Sequence, residues 1–137
     1  MSLSTFSWPI RVYYEDTDAA GLVYYANYLR FMERARTEWL RALGFEQPEL
    51  RDEHGIVFAV SRLEIEFLKP ARFNESLSVT VEMSRTGRAS LDLVQRVLGG
   101  AQELICRGTV KIACVEAQTM RPCGIPAVVL TELERVT

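Results

Sequence analysis

Histidine is nearly absent from this 137-residue chain, which has His54 alone, in what reads as a loop. A metal centre built on several imidazoles cannot be assembled from it, and a histidine-based triad would hang on that one side chain. Cysteine is sparse too: Cys106, Cys114 and Cys123 match neither a disulfide framework nor a zinc ligand set. Cys106 and Cys114 share one parity of a predicted strand, which makes them core residues, and reduced thiols point to a cytoplasmic protein. No Gly-x-Ser-x-Gly elbow, phosphate-binding loop or dinucleotide fingerprint occurs. No apolar run approaches the ~18 residues of a membrane span, and Met1 to Pro9 lacks the basic start and apolar stretch of a secretion signal. Strong charge of one sign is also missing. A net charge of −2 offers no general positive field, so no nucleic-acid partner is expected.

What is present is ordinary globular material, 48% hydrophobic and 25% charged, enough for a single domain over 1–137 with a core that needs no covalent staples. Pro9 to Tyr14 reads as a short strand, and Glu15 to Leu22 as a structured loop. From Val23 to Leu43 the pattern turns helical. Tyr25, Tyr28, Leu29, Met32, Ala35, Trp39, Leu40 and Leu43 recur at spacings of three and four, which builds one apolar face. Arg30, Glu33, Arg34, Glu38 and Arg41 take the other side, where Arg34 and Glu38 stand one turn apart as a predicted pair. Gly44 is a plausible stop.

Beyond the helix the period changes to two. Leu63, Ile65 and Phe67 alternate with Glu64 and Glu66; Leu77, Val79, Val81 and Met83 alternate with polar neighbours. Leu91 and Leu93, then Leu104, Cys106, Val110 and Ile112, follow the same rule. Thr86-Gly87 and Gly99-Gly100 read as hairpin turns, so the sheet is antiparallel. One face of such a sheet is buried, and the single long helix is the natural cover. The predicted fold is α+β: an antiparallel sheet of about five strands wrapped around one long helix. Ile125 to Leu130 fits a helical turn or an edge strand.

The chemistry has one place to sit, the run Tyr13-Tyr14-Glu15-Asp16-Thr17-Asp18-Ala19-Ala20-Gly21-Leu22-Val23-Tyr24-Tyr25-Ala26-Asn27-Tyr28. Two carboxylates precede a helix whose first turn leaves backbone N–H groups without intrahelical partners. Those donors, at the positive end of the helix dipole, can polarise a carbonyl and steady an oxyanion. A nearby carboxylate can serve as nucleophile or as base toward water. The plainer alternative is that Asp16 and Asp18 cap the helix and shape the turn, the commoner job of aspartate in that position.

Read as a whole, this segment, continued through Leu29-Arg30-Phe31-Met32-Glu33-Arg34-Ala35-Arg36, resembles the hotdog-fold acyl-coenzyme A thioesterases. The branch it is most similar to holds the Tol-Pal-associated and 4-hydroxybenzoyl-coenzyme A thioesterases. The likeness continues through Arg62 to Phe67, Leu68-Lys69-Pro70-Ala71-Arg72, the hairpins, and Cys114-Val115 to Met120-Arg121-Pro122. It implies hydrolysis of an acyl-coenzyme A, with Asp18 as catalytic carboxylate and the backbone N–H of Tyr25 polarising the thioester carbonyl. At Tyr25 the chain departs from the Tol-Pal-associated pattern, which usually has histidine there, and agrees with the hydroxybenzoyl enzymes, which have tyrosine. The Tyr25 side chain stands between a site role and a place in the core.

Supporting positions follow. Asn27 either steadies the loop or contacts substrate, and Tyr14 either lines the acyl pocket or ends the first strand. Asp16 is a turn former. Coenzyme A carries phosphates, which call for guanidinium and ammonium groups. Lys69 and Arg72 flank Pro70 at a strand end, and the resemblance places nucleotide contacts around Arg88 and Ser90. No cofactor or metal is expected. The resemblance further implies a homodimer or homotetramer with sites between subunits, compatible with Tyr24 and Phe31 widening the apolar stripe toward a second chain or, equally, toward a thicker core. Alternative readings are a thioesterase acting on acyl carrier protein, and a noncatalytic acyl-binding module at the envelope. The expected location is the cytoplasm or the inner face of the membrane.

Overall fold

A computed structural model describes residues 5–135. The chain runs β1 (Phe6–Arg11), a 3-10 turn (Tyr14–Asp16), α1 (Asn27–Ala42), α2 (Gln47–His54), β2 (Ile56–Phe67), β3 (Ser76–Thr86), β4 (Ser90–Leu98), β5 (Leu104–Glu116) and α3 (Ala127–Arg135). The five strands form one sheet in the order β1-β3-β4-β5-β2, and every neighbouring pair is antiparallel. The α+β arrangement of a sheet around one long helix is the one the period change predicts.

Alternation sets the faces. Along β4, Leu91, Leu93, Gln95 and Val97 are buried while their neighbours are half-buried. Helix α1 lies on the same side and presents Tyr28, Phe31, Met32, Ala35, Trp39 and Leu40 to the core. Phe31 and Met32 are fully buried, each contributing roughly 1.5–3 kcal/mol against exposure. Cys106 and Cys114 are buried, as strand parity predicts. Gln95 is a polar stud in this apolar wall. Its amide donates to the carbonyls of Met32 (3.0 Å) and Thr80 (3.3 Å), and its oxygen accepts from Arg36 Nη1 (3.0 Å).

Several boundaries differ from those read in the sequence. The first strand is Phe6–Arg11, and Tyr14 opens the 3-10 turn. Helix α1 starts at Asn27, four residues later than predicted, because the amides of Val23 and Tyr24 are drawn to the carbonyls of Ala71 and Asp16 (both 2.9 Å). Glu38 pairs with Arg41 at 2.6 Å; Arg34 lies over the Phe31 ring at 5.8 Å instead of taking Glu38. Phe31 therefore belongs to the core, and Tyr24 alone of that pair stays exposed. His54 ends α2 rather than sitting in a loop. Of the apolar piece Ile125 to Leu130, residues 127–130 open α3, which buries Val129 and Leu133 on one face, and Ile125 is buried just ahead of it. Among the described residues no helix is long and apolar enough to cross a membrane.

The connection from β2 to β3, residues 68–75, crosses the end of the sheet and braces the β1–α1 loop. Leu68 and Lys69 donate to the Ile105 carbonyl, Ala71 accepts from Val23, Phe73 donates to the Gly21 carbonyl (3.3 Å) and Asn74 to that of Val12 (2.9 Å). The buried Tyr28 hydroxyl accepts from the Ala71 amide at 3.1 Å.

Candidate active site

Two aspartates two positions apart meet different fates in the loop so braced. Asp16 is 3% exposed. Its Oδ2 accepts from the Tyr13 amide and its Oδ1 from Asn27 Nδ2, both at 2.8 Å. Its carbonyl accepts from the Tyr24 amide. The residue read as a turn former thus ties the loop to the start of α1, and Asn27 is engaged in the same tie.

Asp18 is exposed. Its Oδ1 accepts from the amides of Ala20 (2.9 Å) and Leu22 (3.2 Å), while Oδ2 has no partner among the described residues. Backbone bonds from Asp18 N to the Leu22 carbonyl (2.8 Å) and from Gly21 N to the Asp18 carbonyl (3.0 Å) close the turn. Gly21 sits at φ 78°, a left-handed conformation that costs a side-chain-bearing residue energy. Among the described residues, one carboxylate oxygen is held and the other is unpartnered. The carboxylate does not cap the helix: the N-cap position of α1 is Ala26, with no side-chain cap bond.

The helix start supplies unpaired donors. The amides of Asn27, Tyr28 and Leu29 reach the carbonyls of Tyr24, Tyr25 and Ala26, but those of Tyr25 and Ala26 find no acceptor among the described residues. Thr17 and Val23 pair in an isolated bridge, which folds the Asp18 turn back toward this helix end. An anionic oxygen and free N–H groups on adjoining turns are what acyl transfer requires.

The remaining predicted residues fall in two places. Tyr25 is 61% exposed, so its ring is not in the core; it lies 5.0 Å from Tyr24 and edge-on to Phe67 at 6.0 Å. Tyr14 is 81% exposed and edge-on to Phe73 at 6.1 Å. Lys69 and Arg72 are exposed on the crossover, where Arg72 bridges Leu22 of the loop. All of these share the Asp18 end of the sheet. Arg88 and Ser90 do not. They sit at the β3–β4 hairpin, separated from the loop by the length of β3, about 30 Å at ~3.3 Å per residue. One chain therefore does not bring all the predicted contacts together.

Sequence reasoning missed the Asp16–Asn27 tie and the bracing crossover. The eleven-residue separation of the first pair crosses from loop to helix and follows no local period. Trp39, on the predicted apolar face of the helix, and Phe58 of β2 line one cavity of about 150 Å³ between α1 and β2. A second cavity, toward Leu29, shares Glu33, Arg36 and Val60 with it, so a groove follows α1 along the β2 edge. Burial lowers the pKa of Arg36 in that wall, partly offset by Glu33.

The family model described as "Thioesterase-like superfamily" matches residues 12–133. The chain is 44% identical over 121 residues to the acyl-CoA thioesterase YbgC of Haemophilus influenzae, covering 88% of both chains. It is 38% identical over 135 residues to the acyl-CoA thioester hydrolase YbgC of Escherichia coli O6:H1, covering 98% of this chain and all of that one. A solved structure of a probable thioesterase from Bartonella henselae superposes with a TM-score of 0.85 at 34% identity, over 89% of this chain and 99% of the other.

Proposed function

The chain belongs to the thioesterase-like superfamily, and from that premise we propose that it hydrolyses acyl-coenzyme A thioesters with Asp18 as the catalytic carboxylate. The observation that carries the reading is the split state of that carboxylate. Oδ1 is fixed by two loop amides, and the exposed Oδ2 is left for a reactant, on a turn folded toward the free amides of Tyr25 and Ala26. The substrate class follows the relatives, both named for acyl-CoA thioesters.

In this mechanism the thioester oxygen accepts from the helix-start N–H groups, which draws charge from the carbonyl carbon. Asp18 Oδ2 then acts in one of two ways. It attacks that carbon, expelling coenzyme A as thiolate and leaving a mixed anhydride that water opens. Alternatively it takes a proton from a water that attacks directly. Both routes deliver free acid and the thiol, and a thiolate leaves readily because its conjugate acid has a pKa near ~8.5.

Lys69 and Arg72 beside the loop, and Arg88 and Ser90 at the hairpin, are the groups assigned to the phosphates. The separation of the two sets supports a site shared between two copies. An antiparallel edge-to-edge pairing through β2, whose outer positions Val60, Arg62 and Glu64 are exposed, would carry the hairpin end of one copy toward the loop end of the other. The α1–β2 groove, bordering the same edge, would take the acyl group.

The test is thiol release from a panel of coenzyme A thioesters and from matched acyl carrier protein thioesters, by the wild type and by Asp18→Asn. Release from the coenzyme A series, lost in the variant, is expected. Preference for the carrier protein would reassign the donor, and ligand binding with no release from either would make the domain a noncatalytic binder.

A further inference from the structure

Cys114 and Cys123 play no part in that reading, yet the fold sets them face to face. Val115 pairs with Pro122 in an antiparallel bridge, and one step along each strand brings Cys114 opposite Cys123. The Cys123 amide donates to the Cys114 carbonyl at 3.0 Å. Residues directly opposed in an antiparallel pair point to the same face, with Cα atoms roughly 4.5–5.5 Å apart. That lies within the ~4.4–6.8 Å window of a disulfide. The two sulfurs are in contact at 3.7 Å, both are free thiols, and Cys123 is only half-buried.

We infer that Cys114 and Cys123 are a reversible dithiol–disulfide couple, a modification site at the hairpin end of the sheet. The oxidant is a small-molecule disulfide. The half-exposed Cys123 sulfur, as thiolate, attacks it, forming a mixed disulfide and releasing one small thiol. Cys114 then gives up its proton and attacks the Cys123 sulfur, expelling the second small thiol. Two protein thiols are oxidised and one small disulfide is reduced to two thiols. The order follows from burial. Cys114 is buried away from the oxidant and favours the thiol, its pKa pushed up to about 12 by desolvation and by the Cys123 thiol beside it, so the half-buried Cys123 attacks first. Part of that resistance, the hydrogen bond and charge of Cys123, disappears once Cys123 is in the mixed disulfide.

Closing the bond draws the sulfurs from 3.7 Å to about 2.05 Å. The stretch 121–125 that would move is joined to the sheet by three backbone bonds, from Glu116 N to the Arg121 carbonyl (2.9 Å), from Cys123 N to the Cys114 carbonyl (3.0 Å) and from Ile125 N to the Arg88 carbonyl (2.9 Å). Closure works against that backbone pairing, and a strained disulfide is the more readily reduced kind. Cys106 offers a control within the molecule. It is buried with its pKa likewise pushed up to about 12, and no thiol faces it among the described residues.

The test is native wild-type protein incubated with glutathione disulfide, acid-quenched, unfolded and alkylated. Three alkylatable thiols should fall to one, with a peptide linking positions 114 and 123 and full recovery on adding dithiothreitol. Cys123→Ser should keep both of its remaining thiols. Retention of all three in the wild type, or a glutathione adduct that stays on Cys123, overturns the inference. The wild-type count decides it even where a variant folds poorly, and it is independent of whether thioesters are hydrolysed.

Discussion

The two ends of the sheet are built differently. At the loop end, three stretches of chain interlock: the β1–α1 loop, the start of α1 and the crossover 68–75, joined by Val23 N to Ala71 O, Tyr24 N to Asp16 O and Phe73 N to Gly21 O. At the hairpin end, Arg88 and Ser90 ride on a turn closed by Gly87 N to Ser90 O at 2.7 Å, with their side chains directed to no partner among the described residues. Bond making needs atoms fixed to a fraction of an ångström, whereas phosphate capture in water needs chiefly charge. The loop end should therefore govern turnover and the hairpin end the hold on substrate.

The largest effect is expected at Asp18. Asparagine keeps an Oδ1 that can accept from Ala20 and Leu22 but cannot attack or take a proton as a carboxylate does. Asp18→Asn should lower kcat by on the order of 10²–10⁴, with Tm and KM nearly unchanged. Near-wild-type turnover would remove the contrast between the ends altogether. Asp16→Ala probes the frame instead of the chemistry. It strands the Tyr13 amide and the Asn27 side chain, at a cost of about 2–4 kcal/mol, so Tm should fall in thermal unfolding and kcat should fall with it. A stable Asp16→Ala with normal turnover would show that the loop needs no such anchor.

The sheet and its helix were legible because each obeys a period: two along β3 to β5, three and four along α1. The acids were legible as a pair, and only the family resemblance, not the residues themselves, set Asp18 as catalytic carboxylate apart from Asp16 as turn former. Nothing local separates Asp16 from Asp18, since the difference lies in Asn27 and Tyr24 reaching back to one and Ala20 and Leu22 turning onto the other. The start of α1 was misplaced for the same reason. Val23 and Tyr24 are good continuations of the apolar stripe, and only the crossover, arriving some fifty residues later, claims the Val23 amide. Lys69, Arg72, Arg88 and Ser90 all read alike as cations and donors near turns, and strand direction alone sorts them to opposite ends.

That sorting predicts a smaller effect, in binding. Arg88→Glu should raise KM about tenfold or more, as loss of a charge-assisted phosphate contact implies, while kcat holds. Mixing it with Asp18→Asn under conditions of subunit exchange sharpens the comparison. If each site takes its loop end from one copy and its hairpin end from the other, hybrid dimers hold one intact site in two. At subsaturating substrate the random mixture should then recover about a quarter of wild-type activity, well above the average of the parents. No recovery despite exchange would place each site within one chain and leave Arg88 out of it.

The smallest effect is expected from Tyr25→Phe. The Tyr25 hydroxyl has no hydrogen-bond partner among the described residues, and its ring is held by Tyr24 and Phe67, contacts that phenylalanine keeps. In the proposed mechanism the working group on this residue is its backbone N–H, which no side-chain exchange removes. kcat should stay within about twofold of wild type, below the ~10² that loss of a proton-transferring side chain costs. A hundredfold loss would transfer the role from amide to phenol. Tyrosine would then stand in for an imidazole at that position, and the loop end would owe its turnover to two side chains instead of one carboxylate and a stretch of backbone.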